Sequence, residues 1–152
     1  MVLLDKSGIL TRDDDKTNVR FAFDVPAGTQ ALQIEFAYSP KTLTDPELEK
    51  QICETALKKY NGAVCYDEYK QYLPLKNLVT LSLDDPACYR GAAHRQDPRQ
   101  IHTVGAAQSS YGFTNAPTQP GTWYLTLNVH CALCRIDYTV KISTKTETEV
   151  RA

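Results

Sequence analysis

The sharpest chemical motif in the chain is His130-Cys131-Ala132-Leu133-Cys134. Two thiolates at this spacing in a tight turn can supply half of a tetrahedral zinc site. The remaining ligands would have to come from His130, His94, His102 or Cys88, because no second Cys pair follows. A redox dithiol is the poorer fit, since such pairs use a helix N-terminus to lower a thiol pKa and a β-hairpin offers no such dipole. The simplest reading is two reduced thiols packed as small hydrophobes, with no metal and no cofactor. Asp13-Asp14-Asp15 has the oxygen chemistry for calcium. It lacks the ligand spacing and terminal Glu of an EF-hand loop, so it reads as a solvated acidic turn.

The richest stretch runs from Asp84 to Asn115. It holds Tyr89, Arg90, His94, Arg95, Arg99, His102, Tyr111 and Phe113. Arg forks hold carboxylates, phosphates or sugar hydroxyls, and Tyr faces stack on sugar rings. Tyr89, Arg90, His94, Arg95, His102 and Tyr111 are therefore the candidate ligand-binding residues. No Ser-His-Asp order or activated Cys-His pair can be placed, so no catalytic residue is assigned.

The elements that must position these groups show a period of two. Val19–Val25, Leu32–Tyr38, Val79–Leu83, Trp123–Val129 and Ile136–Ile142 alternate apolar with mostly polar residues. That is the mark of antiparallel strands with one buried face. Weaker strands are expected at Val2–Leu4, Ala87–Ala92 and Gln100–Val104. Seven or eight short strands make an all-β sandwich, of jelly-roll or galactose-binding-like type. One segment departs from the period. Asp45 to Tyr60 reads as an inserted helix, capped by Thr44 or Asp45, with Pro46 at its start and Asn61-Gly62 as its stop. Leu48, Ile52, Ala56 and Tyr60 form its expected apolar face, and the helix is expected to cap one end of the sandwich. The chain thus reads as one domain over residues 1–143, with the helical insertion near 45–60 and a polar tail over 144–152.

Composition narrows the function. With 17 Lys plus Arg against 18 Asp plus Glu, the formal charge is −1. So balanced a chain sets up no field to attract nucleic acid or a membrane surface. No apolar run approaches the roughly 20 residues of a membrane span. Asp5 and Lys6 fall where a signal peptide would have its apolar core, and the five cysteines are odd in number. Both features set the expectation of a cytoplasmic protein with reduced thiols.

The runs FAFDVPAGTQALQIEFAYSPK, PGTWYLTLNV and DYTVKIS add a resemblance. Val25, Pro26, Gly28, Leu32, Tyr38, Pro40, Leu83, Asp85, Pro86, Arg90, Gly91, Pro120, Gly121, Thr122, Trp123, Tyr138 and Val140 carry it, over about Val19 to Ser143. Their pattern resembles the β-sandwich domain that precedes the PHP domain in bacterial metallohydrolases of the CehA/McbA type. The 152 residues hold no PHP domain and none of its His/Asp metal ligands. The resemblance therefore implies a sandwich fold and an accessory role, without hydrolase chemistry. The expected function is a non-catalytic binding or assembly module, working with a protein partner or with copies of itself through sandwich edges. The alternatives are a carbohydrate-binding module and a small metal-dependent enzyme using His94, His102 and a carboxylate.

Overall fold

The computed structural model describes residues 1–62 and 67–150, so Cys65 lies outside the described residues. Eight strands form two four-stranded antiparallel sheets. They are β1 (Val2–Leu10), β2 (Asn18–Val25), β3 (Ala31–Ser39), β4 (Leu78–Asp84), β5 (Tyr89–Ala93), β6 (Arg99–Gly105), β7 (Gly121–Cys131) and β8 (Ile136–Lys145). One sheet, called A, has the order β1-β8-β3-β6, and the other, B, the order β2-β7-β4-β5. β1 pairs with β8, β2 with β7, β3 with β6 and β4 with β5. The chain is thus one long antiparallel ribbon wrapped so that successive pairs fall in opposite sheets, the arrangement of a jelly roll.

The alternation seen in the sequence is the cause of the packing. Leu32, Ile34, Phe36, Tyr38, Ile136, Tyr138, Val140 and Ile142 of sheet A face Phe23, Val25, Val79, Leu81, Leu83, Trp123, Leu125, Leu127 and Val129 of sheet B in one buried core. Each fully buried side chain of this kind contributes roughly 1.5–3 kcal/mol. Trp123 is completely buried, as the largest side chain opening an inner-face strand should be.

β1 runs to Leu10, well past the expected Leu4, and the strand expected over Ile136–Ile142 continues to Lys145 before a helical turn, α2 (Glu147–Val150). The core-facing positions of β1 include Lys6 and Gly8, opposite Val140 and Tyr138, so this strand shows no apolar alternation. An exposed lysine on the core-facing side of an edge strand, with the register irregularity between Val2 and Leu4, disfavours further strand addition there.

The helix α1 (Pro46–Asn61) forms where the caps put it. Asp45 Oδ1 accepts the backbone N–H groups of Glu47 and Leu48, and Gly62 ends the helix at φ 70°. Its buried face is corrected by one position: Glu49, Cys53 and Leu57 are buried, while Ala56 and Tyr60 are exposed. The reason is its neighbour. α1 packs on the chain that returns through the 3₁₀ turn Glu68–Tyr72, and Leu75 N–H donates to Glu49 Oε1. The excursion stands on a short ladder in which Leu43 N–H donates to Leu75 O and Asn77 N–H to Lys41 O.

On the far side of the sandwich, residues 105–117 close both sheets. Ser110 exchanges hydrogen bonds with Thr103 of β6, and Ser109 Oγ accepts Gly105 N–H. Further along, Ala92 N–H of β5 donates to Gly112 O, and Thr114 N–H donates to Arg90 O. This clasp occupies the edge of β5 and half the edge of β6. It also crosses so close to Gly91 (φ 124°) that a Cβ there would strike the Gly112 carbonyl. Gly91→Ala is expected to cost on the order of 3 kcal/mol, against about 1 kcal/mol for Gly28→Ala, where φ is also positive but the space is open. Urea unfolding of the two variants checks the difference.

Candidate functional site

The six candidate residues of the Asp84–Asn115 segment do not form one site. Two of them are interior. Arg90 is wholly buried, and its guanidinium is taken up by the protein itself. Nη1 donates to Asp85 Oδ2 at 3.3 Å and to Pro117 O at 3.1 Å, and Nη2 donates to Thr114 O at 3.1 Å and Ala116 O at 2.9 Å. Its Cζ lies 5.1 Å from the Trp123 ring centroid. Asp85 in turn accepts the N–H groups of Ala87 and Cys88, both at 2.7 Å. Burial alone would raise the Asp85 carboxyl, but these two N–H groups and the Arg90 charge hold it below its usual range. The expected recognition fork is therefore a structural cross-link between β5 and the clasp.

His102 is the second interior residue, on the core-facing side of β6 against the Phe113 ring. Gln100 gives its amide N–H to Asp97 O, so its Oε1 accepts from His102 Nε2 at 2.8 Å. Nδ1 then carries a lone pair with no hydrogen-bond partner among the described residues. Burial, and then the Arg95 charge, hold the imidazole below its ordinary pKa.

The other four candidates are exposed but separated. Tyr89 lies on the outer face of sheet B beside Asp84. His94 and Arg95 follow the opposite end of β5, some five residues or roughly 17 Å along an extended chain. Tyr111 projects from the clasp. As a single ligand-binding cluster, the set is overturned by the burial of Arg90 and His102 and by this spread.

At the β7–β8 hairpin, His130 Nε2 is 2.8 Å from Thr80 Oγ1, and Cys134 Sγ accepts from Asn77 Nδ2 at 3.3 Å. Cys131 is raised from its ordinary pKa by burial and by Asp15. Among the described residues, no group of three or more His, Cys, Asp or Glu side chains is arranged to hold a metal. The acidic run is also accounted for locally: Asp14 caps the turn after β1 through Thr11 N–H, and Asp15 Oδ1 accepts Ala132 N–H. Asn77, which the sequence reading passed over, is fully buried. It holds Pro40 O, Cys134 Sγ and Leu133 N–H at once, tying the helical excursion to the hairpin.

A different surface has the shape of a site. The outer face of sheet A carries two adjoining hollows of about 520 and 420 Å³. Both are shallow and open to solvent. They share Ala37, Arg99 and Thr139. Register explains the shape. Ser7, Thr139, Ala37 and Arg99 lie side by side across β1, β8, β3 and β6, and three of the four are small. This low row separates the hollow toward Ile9, Asp137 and Ser39 from the one toward Asp5, Lys141, Glu35 and Ile101. The depression spans about four residues, or roughly 13 Å, along the strands. Its outer-face groups are hydroxyls and charges. The large apolar side chains on that face, Ile9 and Ile101, sit at its two edge strands.

The chain matches no protein-family model and no curated protein. No helix among the described residues is long and apolar enough to cross a membrane.

Two expectations follow for the interior pair. Arg90→Met strands the Asp85 carboxylate and should cost about 3–5 kcal/mol, and adding Asp85→Asn should recover part of that, whereas Arg95→Ala should stay within about 0.5 kcal/mol in chemical denaturation. For His102, the unfolded chain binds its proton at a higher pH than the fold does. Its contribution to stability is therefore complete above about pH 6.5 and declines as pH falls toward the lower folded value. Thermal melts across this range should show the decline in the wild type, and His102→Gln, which cannot take up the proton, should remove that component.

Proposed function

We propose that the protein is a non-catalytic binding module whose ligand lies across the outer face of sheet A. The observation that carries this reading is the pair of contiguous hollows built on Ala37, Thr139 and Arg99. A sheet face with a floor of small side chains and a rim of polar ones is rigid, because cross-strand hydrogen bonds fix each Cβ position. Its neighbours on the strand register are acids, bases and hydroxyls; Glu35 accepts from Gln33 Nε2 and Asp137 pairs with Arg135, and the others face solvent.

Three of the four sheet edges are poorly suited to assembly through edge pairing: the clasp occupies β5 and part of β6, and β1 carries Lys6 on its core-facing side, which leaves β2 as the edge for such pairing. The accessory role implied by the resemblance to sandwich domains of PHP metallohydrolases fits a module of this kind, which captures a ligand and leaves chemistry to another protein.

Ala37→Trp fills the floor between the hollows, and Thr126→Trp places the same bulk on the outer face of sheet B. Both should fold with melting temperatures near the wild type, since each ring projects outward. Wild type and variants, immobilised and challenged with a glycan array and with cell extract, should differ in one way. Ala37→Trp loses the ligands that wild type and Thr126→Trp retain. Equal retention by Ala37→Trp would move the function off this face.

A further inference from the structure

We propose that the chain forms a two-fold dimer by pairing β2 with β2 of a second copy, which joins the two B sheets into one. β2 is an outer strand of sheet B and pairs with β7 alone. Among the described residues, no loop hydrogen-bonds to its other side. The ladder shows which of its amide groups are free. Val129 N–H donates to Thr17 O, so Thr17 opposes Val129 in a hydrogen-bonded pair. Such pairs recur at every second residue of an antiparallel ladder, so Val19, Phe21, Phe23 and Val25 turn their N–H and C=O groups to β7. Arg20, Ala22 and Asp24 turn theirs outward, and all three are exposed. An outward row of this kind is a template for another strand.

The side chains along that row fit a second copy of themselves. In a two-fold pairing centred on Ala22, Arg20 meets Asp24 of the partner subunit, and Asp24 meets Arg20 of the partner subunit. These are the residues whose amide groups point outward, so one register pairs the unlike charges and the free N–H and C=O groups together. Arg20 Cζ lies 3.9 Å from the Tyr124 ring centroid, and Asp24 accepts from Thr122 Oγ1. Both side chains are thus held on the outer surface of sheet B, and neither has an ion-pair partner among the described residues. The same register sets Phe21 beside Phe23 of the partner subunit and Val19 beside Val25 of the partner subunit on the core side. Val19 and Phe21 are the core-facing residues of β2 that one copy leaves partly exposed. Other registers lose the fit. A slip of one residue turns the apolar row outward. A slip of two separates Arg20 from Asp24, and a slip of four sets Arg20 on Arg20 or Asp24 on Asp24. The axis stands perpendicular to the joint sheet, so both copies turn the outer face of sheet A to the same side. Whatever that face binds would be met twice, but the pairing does not depend on that binding.

Sedimentation of the full chain over a concentration series tests the dimer. The wild type should reach twice the 17.0 kDa chain mass by about 100 μM. Arg20→Asp or Asp24→Arg alone sets like charges together at both ends of the seam and should raise the dimer Kd about tenfold or more. The double variant Arg20→Asp/Asp24→Arg exchanges the charges and should bring the Kd back toward the wild-type value. Ala22→Pro removes an N–H that makes no bond within one copy, so it should give a monomer with a nearly unchanged melting temperature. Should that variant fail to fold, the charge exchange decides alone. The proposal is overturned if the wild type keeps the mass of one chain, or if a single reversal leaves the Kd unchanged. It is also overturned if the double reversal associates no better than the single ones, or if folded Ala22→Pro dimerises as the wild type does. Ala37→Trp should dimerise normally, so this proposal and the reading of the sheet A face can fail separately.

Discussion

A charge in the interior of a small sandwich is tolerable only if most of it is answered, and Arg90 sets that demand for this fold: both terminal nitrogens are fully engaged, while Nε finds no hydrogen-bond partner among the described residues. Its guanidinium sits against Trp123 in the core, and three of its four hydrogen-bonded partners are main-chain carbonyls of Thr114, Ala116 and Pro117. Those carbonyls can be in place only if the chain leaving β6 turns back across the sandwich. Once it does, its own N–H and C=O groups meet the edges of β5 and β6. The closure of one side of the molecule is therefore a consequence of satisfying one side chain. An apolar residue in its place would need no such loop.

β4 is bracketed by two residues of this type. Asn77 precedes it and Asp85 follows it, and both are buried. Asn77 gathers the base of the helical excursion and the β7–β8 hairpin at one end, and Asp85 orients Arg90 and the clasp at the other. The apolar core supplies most of the stability, but it is indifferent to where loops go. These two polar anchors make the loops follow one path. Among the described residues, no segment covers the outer face of sheet A.

The parts of the fold legible in the sequence were those with a local signature. Alternation at Val79–Leu83 or Trp123–Val129 is visible within a few residues, and so are the Asp45 cap and the Gly62 stop. β1 was only half legible, because Lys6 and Gly8 occupy its inner positions. Arg90 and His102 were read as exposed ligand groups because residue type and a loop-rich setting favour that, while their burial depends on partners far along the chain. The helix face was displaced because its packing partner is the returning chain and not the sandwich. The hollows could not be read at all from single strands. Ala37 breaks a polar outer row after Gln33 and Glu35, yet its meaning appears only once Thr139 and Arg99 are set beside it by strand register. Of the expected site segment, Arg99 was noted but given no special place.

The pairing of β1 with β8 carries a consequence for how the chain comes into being. Met1 and Thr144 are hydrogen-bonded neighbours, so the first strand finds its partner, β8, more than a hundred residues further along the chain. During synthesis a ribosome delivers β1 early and β8 late, and β1 must wait, unpaired, through the making of everything between. A waiting strand with uniform apolar alternation would be a template for other nascent chains. β1 instead carries Asp5, Lys6, Ser7 and Gly8 through its middle, a stretch with little tendency to stick to anything before its partner arrives.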